Sequence, residues 1–99
     1  MKKIRLARFA RDELRSARNW YAALGPELAA RFIAEVREAR RLIGENPAAW
    51  KPLGEGVRQI RLKRFPYLLI YVEEEKEIVV YAVAHERREP NYWKPRRKN

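Results

Sequence analysis

Two wholly apolar runs near the carboxyl end, YLLIYV at residues 67–72 and IVVYAVA at residues 78–84, constrain the fold more than any other feature. Their β-branched and aromatic residues favour strands over helices, and the lack of a polar face predicts burial on both sides. The acidic run EEEKE at residues 73–77 predicts an exposed turn between them. A preceding strand is predicted at residues 57–64, because VRQIRLKR ends at a Phe-Pro bend. Connections this short predict an antiparallel meander.

The amino-terminal half has a different periodicity. Residues 3–9 (KIRLARF) alternate with period two, which predicts a short strand. Apolar residues then recur at helical spacing, with Asp12 and Glu13 near the start, where acidic groups complement the helix dipole. A Gly-Pro pair at residues 25–26 ends this helix and begins a second one at residues 26–43, so the two helices should form an antiparallel hairpin. The apolar residues expected to pack are Leu14, Ala17, Trp20, Tyr21, Leu24, Leu28, Phe32, Ile33, Val36, Ala39 and Ile43.

Together these elements predict an α+β fold in the order strand, two helices, three strands. We expect the first strand to join one edge of the sheet and the helical hairpin to cover one face. The loop at residues 46–56 should be held to the domain by Trp50 and Leu53. Residues 1–99 should form one domain, in which residues 89–99 are a basic tail.

Composition excludes several classes of site. The chain has one histidine and no cysteine, which excludes disulfides and thiolate chemistry and argues against structural zinc. We therefore expect no metal and no cofactor. No window approaches the roughly 18 apolar residues of a membrane span, and charges come too early for a signal peptide, so a cytoplasmic location is expected. The net charge of +10 predicts an anionic partner.

The single histidine, His85, lies where the last apolar run gives way to the segment HERREPNYWKPR. Imidazole can act as a general acid or base near neutral pH. Arg87 and Arg88 can hold phosphate, and Tyr92 can stack on a base or donate a proton. The alternative is structural: His85 is hydrogen-bonded at a strand end, while Tyr92 and Trp93 pack the tail onto the sheet.

Basic residues on the predicted strand at residues 57–64 form a second group of candidates. Arg61 and Lys63 share one face of this strand, and Arg58 and Arg64 share the opposite face. The candidate catalytic residues are therefore His85, Arg87, Tyr92 and Arg61. The candidate residues for binding a nucleic acid or another target are Arg58, Arg61, Lys63, Arg64, Arg87, Arg88, Tyr92 and Trp93.

The chain resembles the RelE/ParE superfamily of bacterial type II toxins over nearly its whole length. The landmarks are, in order, ARDELRSARNWY, GPELAARFIAEVREARRLIGENPAAW, VRQIRLKRFPYLLIYV and EIVVYAVAHERREPNYW. It is most similar to the ParE-like branch, often called plasmid stabilisation proteins. The resemblance implies a β-α-α-β-β-β fold and a cognate antitoxin that silences the toxin. It also implies one of two activities: ParE-like members block DNA gyrase and are not enzymes, whereas RelE-like members cut messenger RNA on the ribosome.

Two departures from the nuclease pattern favour the ParE-like activity. The nuclease members carry a catalytic arginine where this chain has Leu68, and two alternating lysines where it has Gln59 and Arg61; Tyr92 matches the nuclease tyrosine. Catalytic residues that act as a unit lose most of their rate when members are missing. We therefore expect a gyrase inhibitor. A metal-independent endoribonuclease is one alternative, and a non-toxic or designed protein on this fold is another.

Arginines of the predicted helices suggest where a partner binds. Either Arg11, Arg15 and Arg18 of the first helix form only a solvated face, or together with Arg8 and Arg37 they form a surface for an acidic partner. An antitoxin would supply a strand to an open sheet edge and an amphipathic helix to an apolar groove.

Overall fold

A mixed sheet with two helices on one face is seen in the computed structural model, which describes residues 1–97. In chain order the elements are β1 (Lys3–Leu6), α1 (Arg8–Leu24), α2 (Pro26–Glu45), β2 (Lys51–Gly54), β3 (Val57–Arg61), β4 (Tyr67–Glu73) and β5 (Glu77–His85), with short 3₁₀ turns at Pro47–Ala49 and Lys94–Arg97. The sheet order is β1-β5-β4-β3-β2; β1 runs parallel to β5 and the other pairs are antiparallel. The predicted α+β fold is confirmed. Residues 98–99, the end of the expected basic tail, lie outside the described residues.

The first strand ends earlier than its alternating sequence predicts. β1 stops at Leu6 and α1 begins at Arg8, so the predicted extension to residue 9 is wrong. The last two residues of the alternating run, Arg8 and Phe9, lie in the first turn of α1, and the first buried residue of the helix is Ala10. As a result, Asp12 and Glu13 fall beyond the first turn of α1, outside the range of the dipole interaction that their position suggested.

The face of the sheet that packs against α1 and α2, called here the helix face, carries the main core. Its centre is an aromatic cluster in which Tyr21, Phe32 and Phe65 lie with ring centroids 4.9–5.3 Å apart. Phe65 meets the other two rings edge-to-face, an arrangement that adds to the stabilisation from burial. Trp20, which was expected to pack beside Tyr21, is instead 65% exposed. Its side chain borders a cleft between α1 and the end of β5.

A strand that the sequence did not reveal completes the sheet. β2 (KPLG) lies in the predicted loop and pairs with β3, although all four of its residues are exposed. The turn from β2 to β3 has positive φ at Gly54, Glu55 and Gly56, a conformation that glycine adopts without strain. Trp50 packs against the helix-face core, as predicted, whereas Leu53 is exposed.

The opposite face of the sheet, called here the tail face, is covered by the chain that follows β5. Trp93 is 4% exposed and packs against an apolar floor formed by Val57, Ile70, Val72, Ala82 and Ala84. β4 therefore buries both of its faces, as its unbroken apolar sequence predicted. No helix within residues 1–97 is long and apolar enough to cross a membrane.

A β-bulge interrupts β5 at Tyr81. Tyr71 of β4 pairs with Val80, but its neighbour Ile70 pairs with Ala82, so the register skips Tyr81. The extra residue reverses the alternation of side chains along the strand. Before the bulge Val80 faces the helices, and after it Val83 does so. The bulge also changes which backbone groups of β5 point outward, and these groups form part of the site described next.

Candidate functional site

The chain after β5, residues 86–97, forms an ordered arm that we call the C-terminal segment. It turns back across the tail face, where Trp93 anchors it. At its far end Arg97 donates a hydrogen bond of 2.8 Å to the carbonyl oxygen of Glu55 in the β2–β3 turn. Over the residues described, the predicted basic tail therefore packs against one face of the sheet.

Glu13 of α1 ties this segment to β5. Its carboxylate accepts a hydrogen bond from the Tyr92 hydroxyl (2.7 Å) and two from the Arg96 guanidinium (3.0 Å each). It also accepts one from the Val83 N–H at 2.9 Å, while Arg96 donates to the Tyr81 carbonyl oxygen at 3.1 Å. We call Glu13, Tyr92 and Arg96 the Glu13 network. β1 pairs with β5 only as far as Val80, so the network satisfies backbone groups at an edge that has no strand partner.

The Glu13 network is largely shielded from water. The side chains of Glu13 and Arg96 are 19% and 17% exposed. The pKa of Tyr92 is raised well above its ordinary range, chiefly by burial and to a smaller extent by the hydrogen bond to Glu13. The hydrogen bonds to Glu13 raise the pKa of Arg96. In this arrangement Tyr92 is a neutral hydrogen-bond donor, and its hydroxyl proton points to the Glu13 carboxylate.

An open cleft of about 470 Å³ lies between α1 and the end of β5. Phe9 and Trp20, both exposed, line the α1 side. The Arg88 guanidinium lies 3.7 Å from the centre of the Tyr92 ring, a cation–π contact that orients both side chains. The full lining is Phe9, Asp12, Glu13, Ser16, Ala17, Trp20, Tyr67, Val83, His85, Arg88, Tyr92 and Arg96.

His85 is the last residue of β5 and borders this cleft. Its ring packs edge-on against Tyr67, with centroids 5.2 Å apart. Its Nδ1 accepts a hydrogen bond of 3.1 Å from the Arg87 N–H, so in this arrangement the ring is the neutral tautomer with its proton on Nε2. Nε2 is the nitrogen left to contact a ligand.

A second cleft, of about 260 Å³, lies on the tail face. Gln59 and Leu68 line it, with Ile70 and Ala84 among its walls. The strand side of this cleft is neutral, whereas its charged lining (Glu86, Arg88 and Glu89) comes from the C-terminal segment. His85, Arg88 and Tyr92 border both clefts and form the ridge between them.

The remaining candidates separate into engaged and exposed side chains. Arg61 pairs with Glu86 at 2.8 Å and also donates to the Leu62 carbonyl oxygen, while Arg58 donates to the carbonyl oxygen of Trp50. The side chain of Trp93 is buried and so is not exposed for binding. Four exposed cations lie at one end of the sheet, where the β3–β4 turn meets the exit of β5. They are Lys63, Arg64, Arg87 and Arg88, and we call them the basic end. Arg88 is also engaged, since it pairs with Glu89 at 3.3 Å and contacts the Tyr92 ring.

The sequence brought out His85 and Tyr92 but missed Glu13 and Arg96 as members of a site. Glu13 follows Asp12 in a helix rich in charge, and nothing local distinguishes the two carboxylates. Their positions differ only in the fold: Asp12 pairs with the exposed Arg15, whereas Glu13 faces β5. Among residues 1–97 there is no cluster of three or more side chains able to hold a metal ion.

This arrangement defines a class of protein, a small basic α+β domain whose helical hairpin and C-terminal segment cover opposite faces of one sheet. The family model described as "ParE toxin of type II toxin-antitoxin system, parDE" matches residues 4–90. The chain therefore belongs to the ParE toxin family, and the predicted ParE-like branch is confirmed. Membership implies an antitoxin partner.

A solved structure agrees with this assignment at the level of the fold. It is described as a chromosomal ParDE TA system from P. aeruginosa and matches with a TM-score of 0.75 and 24% sequence identity. The match covers 86% of this chain and 96% of that chain. A search of curated proteins found no match.

Proposed function

We propose that this toxin arrests growth by binding and inhibiting DNA gyrase, without catalysis, and that a cognate antitoxin neutralises it. The observation that carries the proposal is the tail-face cleft, in which Gln59 and Leu68 stand where the nuclease branch carries basic groups. Since DNA gyrase acts in the cytoplasm, the proposal also places the toxin there, which agrees with the expectation from composition.

The chemistry of RNA cleavage supports the same choice. Without a metal, cleavage needs a base for the 2′-hydroxyl, an acid for the leaving oxygen and positive charge for the transition state. The Tyr92 hydroxyl donates to Glu13, and Arg61 is paired with Glu86. With these two groups engaged in structure, His85 and the neighbouring arginines make an incomplete set.

Inhibition by binding needs an exposed surface that complements the target. The basic end offers four cations on two connected backbone segments, because the Glu86 N–H donates to the Pro66 carbonyl oxygen at 2.8 Å. The Lys63 and Arg64 N–H groups both bond to the Glu35 carboxylate, which fixes the turn that carries them. A fixed cluster of charge favours fast, salt-sensitive association with an anionic surface.

Charge reversal at the basic end tests the proposal. The purified chain should inhibit supercoiling by gyrase, and the double variant Arg64→Glu/Arg87→Glu should need about tenfold or more protein for the same inhibition. The matched control, Arg31→Glu/Arg37→Glu, makes the same charge change on exposed positions of α2 and should stay within about twofold of the wild type. Equal losses in the two variants would assign the effect to net charge and not to this surface.

A ribonuclease is the second candidate, because His85, Arg88 and Tyr92 border the same two clefts. Translating ribosomes incubated with the purified chain provide its assay. Site-specific cuts in the messenger, lost in His85→Ala and Tyr92→Phe, would replace the gyrase proposal. Intact messenger together with inhibited supercoiling would support it.

A further inference from the structure

Exposed apolar side chains are concentrated on one strip of α1. Within residues 1–97, three of the five large apolar side chains that are exposed belong to this helix. They are Phe9, Trp20 and Leu24, and each is more than half exposed. At about 100° per residue, their positions fall within an arc of about 60° on the helix surface. We call this strip the α1 flank. Single exposed apolar residues are ordinary on a protein surface, whereas an aligned group marks a contact surface.

The α1 flank is not the basic side of this helix. Arg11, Arg15 and Arg18 lie about 140–180° around the helix axis from Trp20. Arg11 reaches the other way, to the carbonyl oxygen of Leu6 in β1. A partner that contacts Trp20 therefore uses a different surface from one that pairs with these arginines.

One end of the cleft beside the α1 flank is filled by the protein itself. The Arg96 guanidinium lies 5.1 Å from the centre of the Phe9 ring and 4.9 Å from the centre of the Tyr92 ring. The same guanidinium is paired with Glu13. Because these four side chains satisfy one another, this end of the cleft is a fixed wall.

The end of the cleft beside Trp20 is open. Its aromatic walls are Trp20, Tyr67 and His85. Tyr67 packs against His85 with ring centroids 5.2 Å apart, and against Tyr21, the neighbour of Trp20, at 6.3 Å. These contacts fix the inner wall, while the Trp20 indole forms the exposed rim. A space bounded by aromatic rings suits an aliphatic or aromatic side chain of a partner.

Charge around the cleft is divided between its two walls. Over the described part of the chain, the charged residues of the α1 wall are the acidic Asp12 and Glu13. The opposite wall carries Arg88, which continues into the basic end. Arg88 pairs with Glu89, but both side chains are exposed, and such a pair is weak enough to exchange for another carboxylate.

This division favours a protein over a nucleic acid. A nucleic-acid strand carries a phosphate on every nucleotide, so a strand in the cleft would bring negative charge to Asp12 as well as to Arg88. A protein segment can place an apolar side chain beside Trp20 and carboxylates only at the basic end. The combination of apolar rim and one-sided positive charge therefore selects an acidic protein segment with an apolar anchor.

We infer that the α1 flank and the open end of the cleft anchor the target protein of this toxin, through an acidic segment that inserts one apolar side chain beside Trp20. The carboxylates of that segment lie against Arg87 and Arg88 of the basic end. Tryptophan and arginine are the side chains that most often dominate the energy of a protein interface. The inference rests on the proposed function, in which the target is gyrase, and it adds the surface on which binding depends most.

Truncation of Trp20 tests the anchor with the full chain. Trp20→Ala should need about tenfold or more protein for the same inhibition of gyrase supercoiling, and it should weaken growth arrest at an equal protein level. Trp20→Phe keeps an aromatic ring and should retain most of the activity. The control, Leu53→Ala, shortens an exposed apolar side chain on β2, at the other edge of the sheet from β1, and should stay within about twofold of the wild type. Equal midpoints of urea unfolding show that the variants are folded.

Oxidative labelling of tryptophan, read by mass spectrometry, measures contact directly. Gyrase without DNA should lower the labelling of Trp20 about fivefold or more, with the buried Trp93 as an internal reference. A short single-stranded oligonucleotide should leave the labelling of Trp20 unchanged.

The results separate failure of the anchor from failure of the proposed function. Full activity of Trp20→Ala, or protection of Trp20 by the oligonucleotide and not by gyrase, would overturn the inference and leave inhibition by the wild type as it stands. A wild-type chain that arrests growth without inhibiting gyrase would overturn the proposed target. Loss of arrest in Trp20→Ala, but not in Leu53→Ala, would then still support the anchor, and equal arrest in both would overturn it.

Discussion

At the scale of single residues, Glu13 and Asp12 show how the fold gives two adjacent carboxylates different roles. Asp12 forms an exposed pair with Arg15, three residues along the helix. Glu13 accepts hydrogen bonds from β5 and from two side chains of the C-terminal segment. Exposed pairs contribute little to stability, whereas removing one partner of a shielded pair leaves the other charge uncompensated.

Replacing Glu13 should therefore destabilise the protein more than replacing its neighbour. For Glu13→Gln we expect a loss of about 1–3 kcal/mol in the free energy of unfolding, since Arg96 loses its counter-charge in a shielded site. Urea denaturation measures this, with Asp12→Asn as the matched control, expected within about 0.5 kcal/mol of the wild type. Equal effects of the two variants would mean that the Glu13 network contributes no more than a surface pair.

The sequence could not identify Glu13 because its partners lie far away along the chain. Tyr92 and Arg96 follow it by 79 and 83 residues, and the bulge at Tyr81 that turns the Val83 N–H toward it has no local signal. The prediction that Trp20 packs in the core was also wrong. Helical spacing assigned it to the packed side of α1, but the stripe on α1 is narrow, and Tyr21 alone of this pair reaches the core.

At the scale of elements, the C-terminal segment acts as a cover for the tail face. Without it, the floor formed by Val57, Ile70, Val72, Ala82 and Ala84 would face water. Truncation after Glu89 would remove Trp93 and Arg96 together, so a loss of toxicity on truncation would reflect lost folding as well as lost contact with a target. Point substitutions separate the two effects.

Trp93→Ala should be strongly destabilising, because it empties the space over the tail face. Large-to-small changes at buried aromatic positions cost about 3–5 kcal/mol, a large part of the 5–15 kcal/mol typical of a domain. Lys94→Ala, on the exposed neighbour in the same segment, should change stability by less than about 0.5 kcal/mol. Thermal and urea unfolding of both variants measure this. A small loss for Trp93→Ala would show that the segment does not contribute to the core.

The elements that could be predicted are those whose own sequence pattern indicates which side chains are buried. β4 and β5 each contain an unbroken apolar run, at residues 67–72 and 78–84, and both helices have clear apolar stripes. Gly25 separates the two helices as predicted, whereas the predicted end of α2 at residue 43 is wrong, because the helix continues through Gly44 to Glu45. β2 could not be predicted, because KPLG contains a proline and a glycine and buries no side chain. It is a strand only because β3 lies beside it. The parallel pairing of β1 with β5 is likewise set by packing between chain ends and not by local sequence.

At the scale of the whole molecule, composition gave the net charge of +10 but not its distribution. The fold places cations at the basic end, beside β1 and along both helices. The acidic run at residues 73–77 is partly neutralised by the start of the chain, where Lys2 pairs with Glu73 and Arg5 of β1 pairs with Glu77. The positive charge is therefore spread over several separate surfaces of one small domain.

Burial of the tyrosines should make the whole protein sensitive to alkali. The pKa values of all five tyrosines are raised, in each case chiefly by burial, and that of Tyr71 rises to about 12. Below pH 10 a tyrosine is protonated in both the folded and the unfolded states, so it adds no pH dependence. Above pH 10 the unfolded state releases the proton first, and stability falls by up to about 1.4 kcal/mol per pH unit for each tyrosine.

Tyr71→Phe loses the hydrogen bond to the Pro47 carbonyl oxygen and should cost about 1 kcal/mol at pH 7. Between pH 10 and about 12 the same variant should show a slope smaller by about one proton. Urea unfolding across this range measures the slope, the two proteins should run parallel between pH 7 and about 9, and identical slopes above pH 10 would contradict the burial of this hydroxyl.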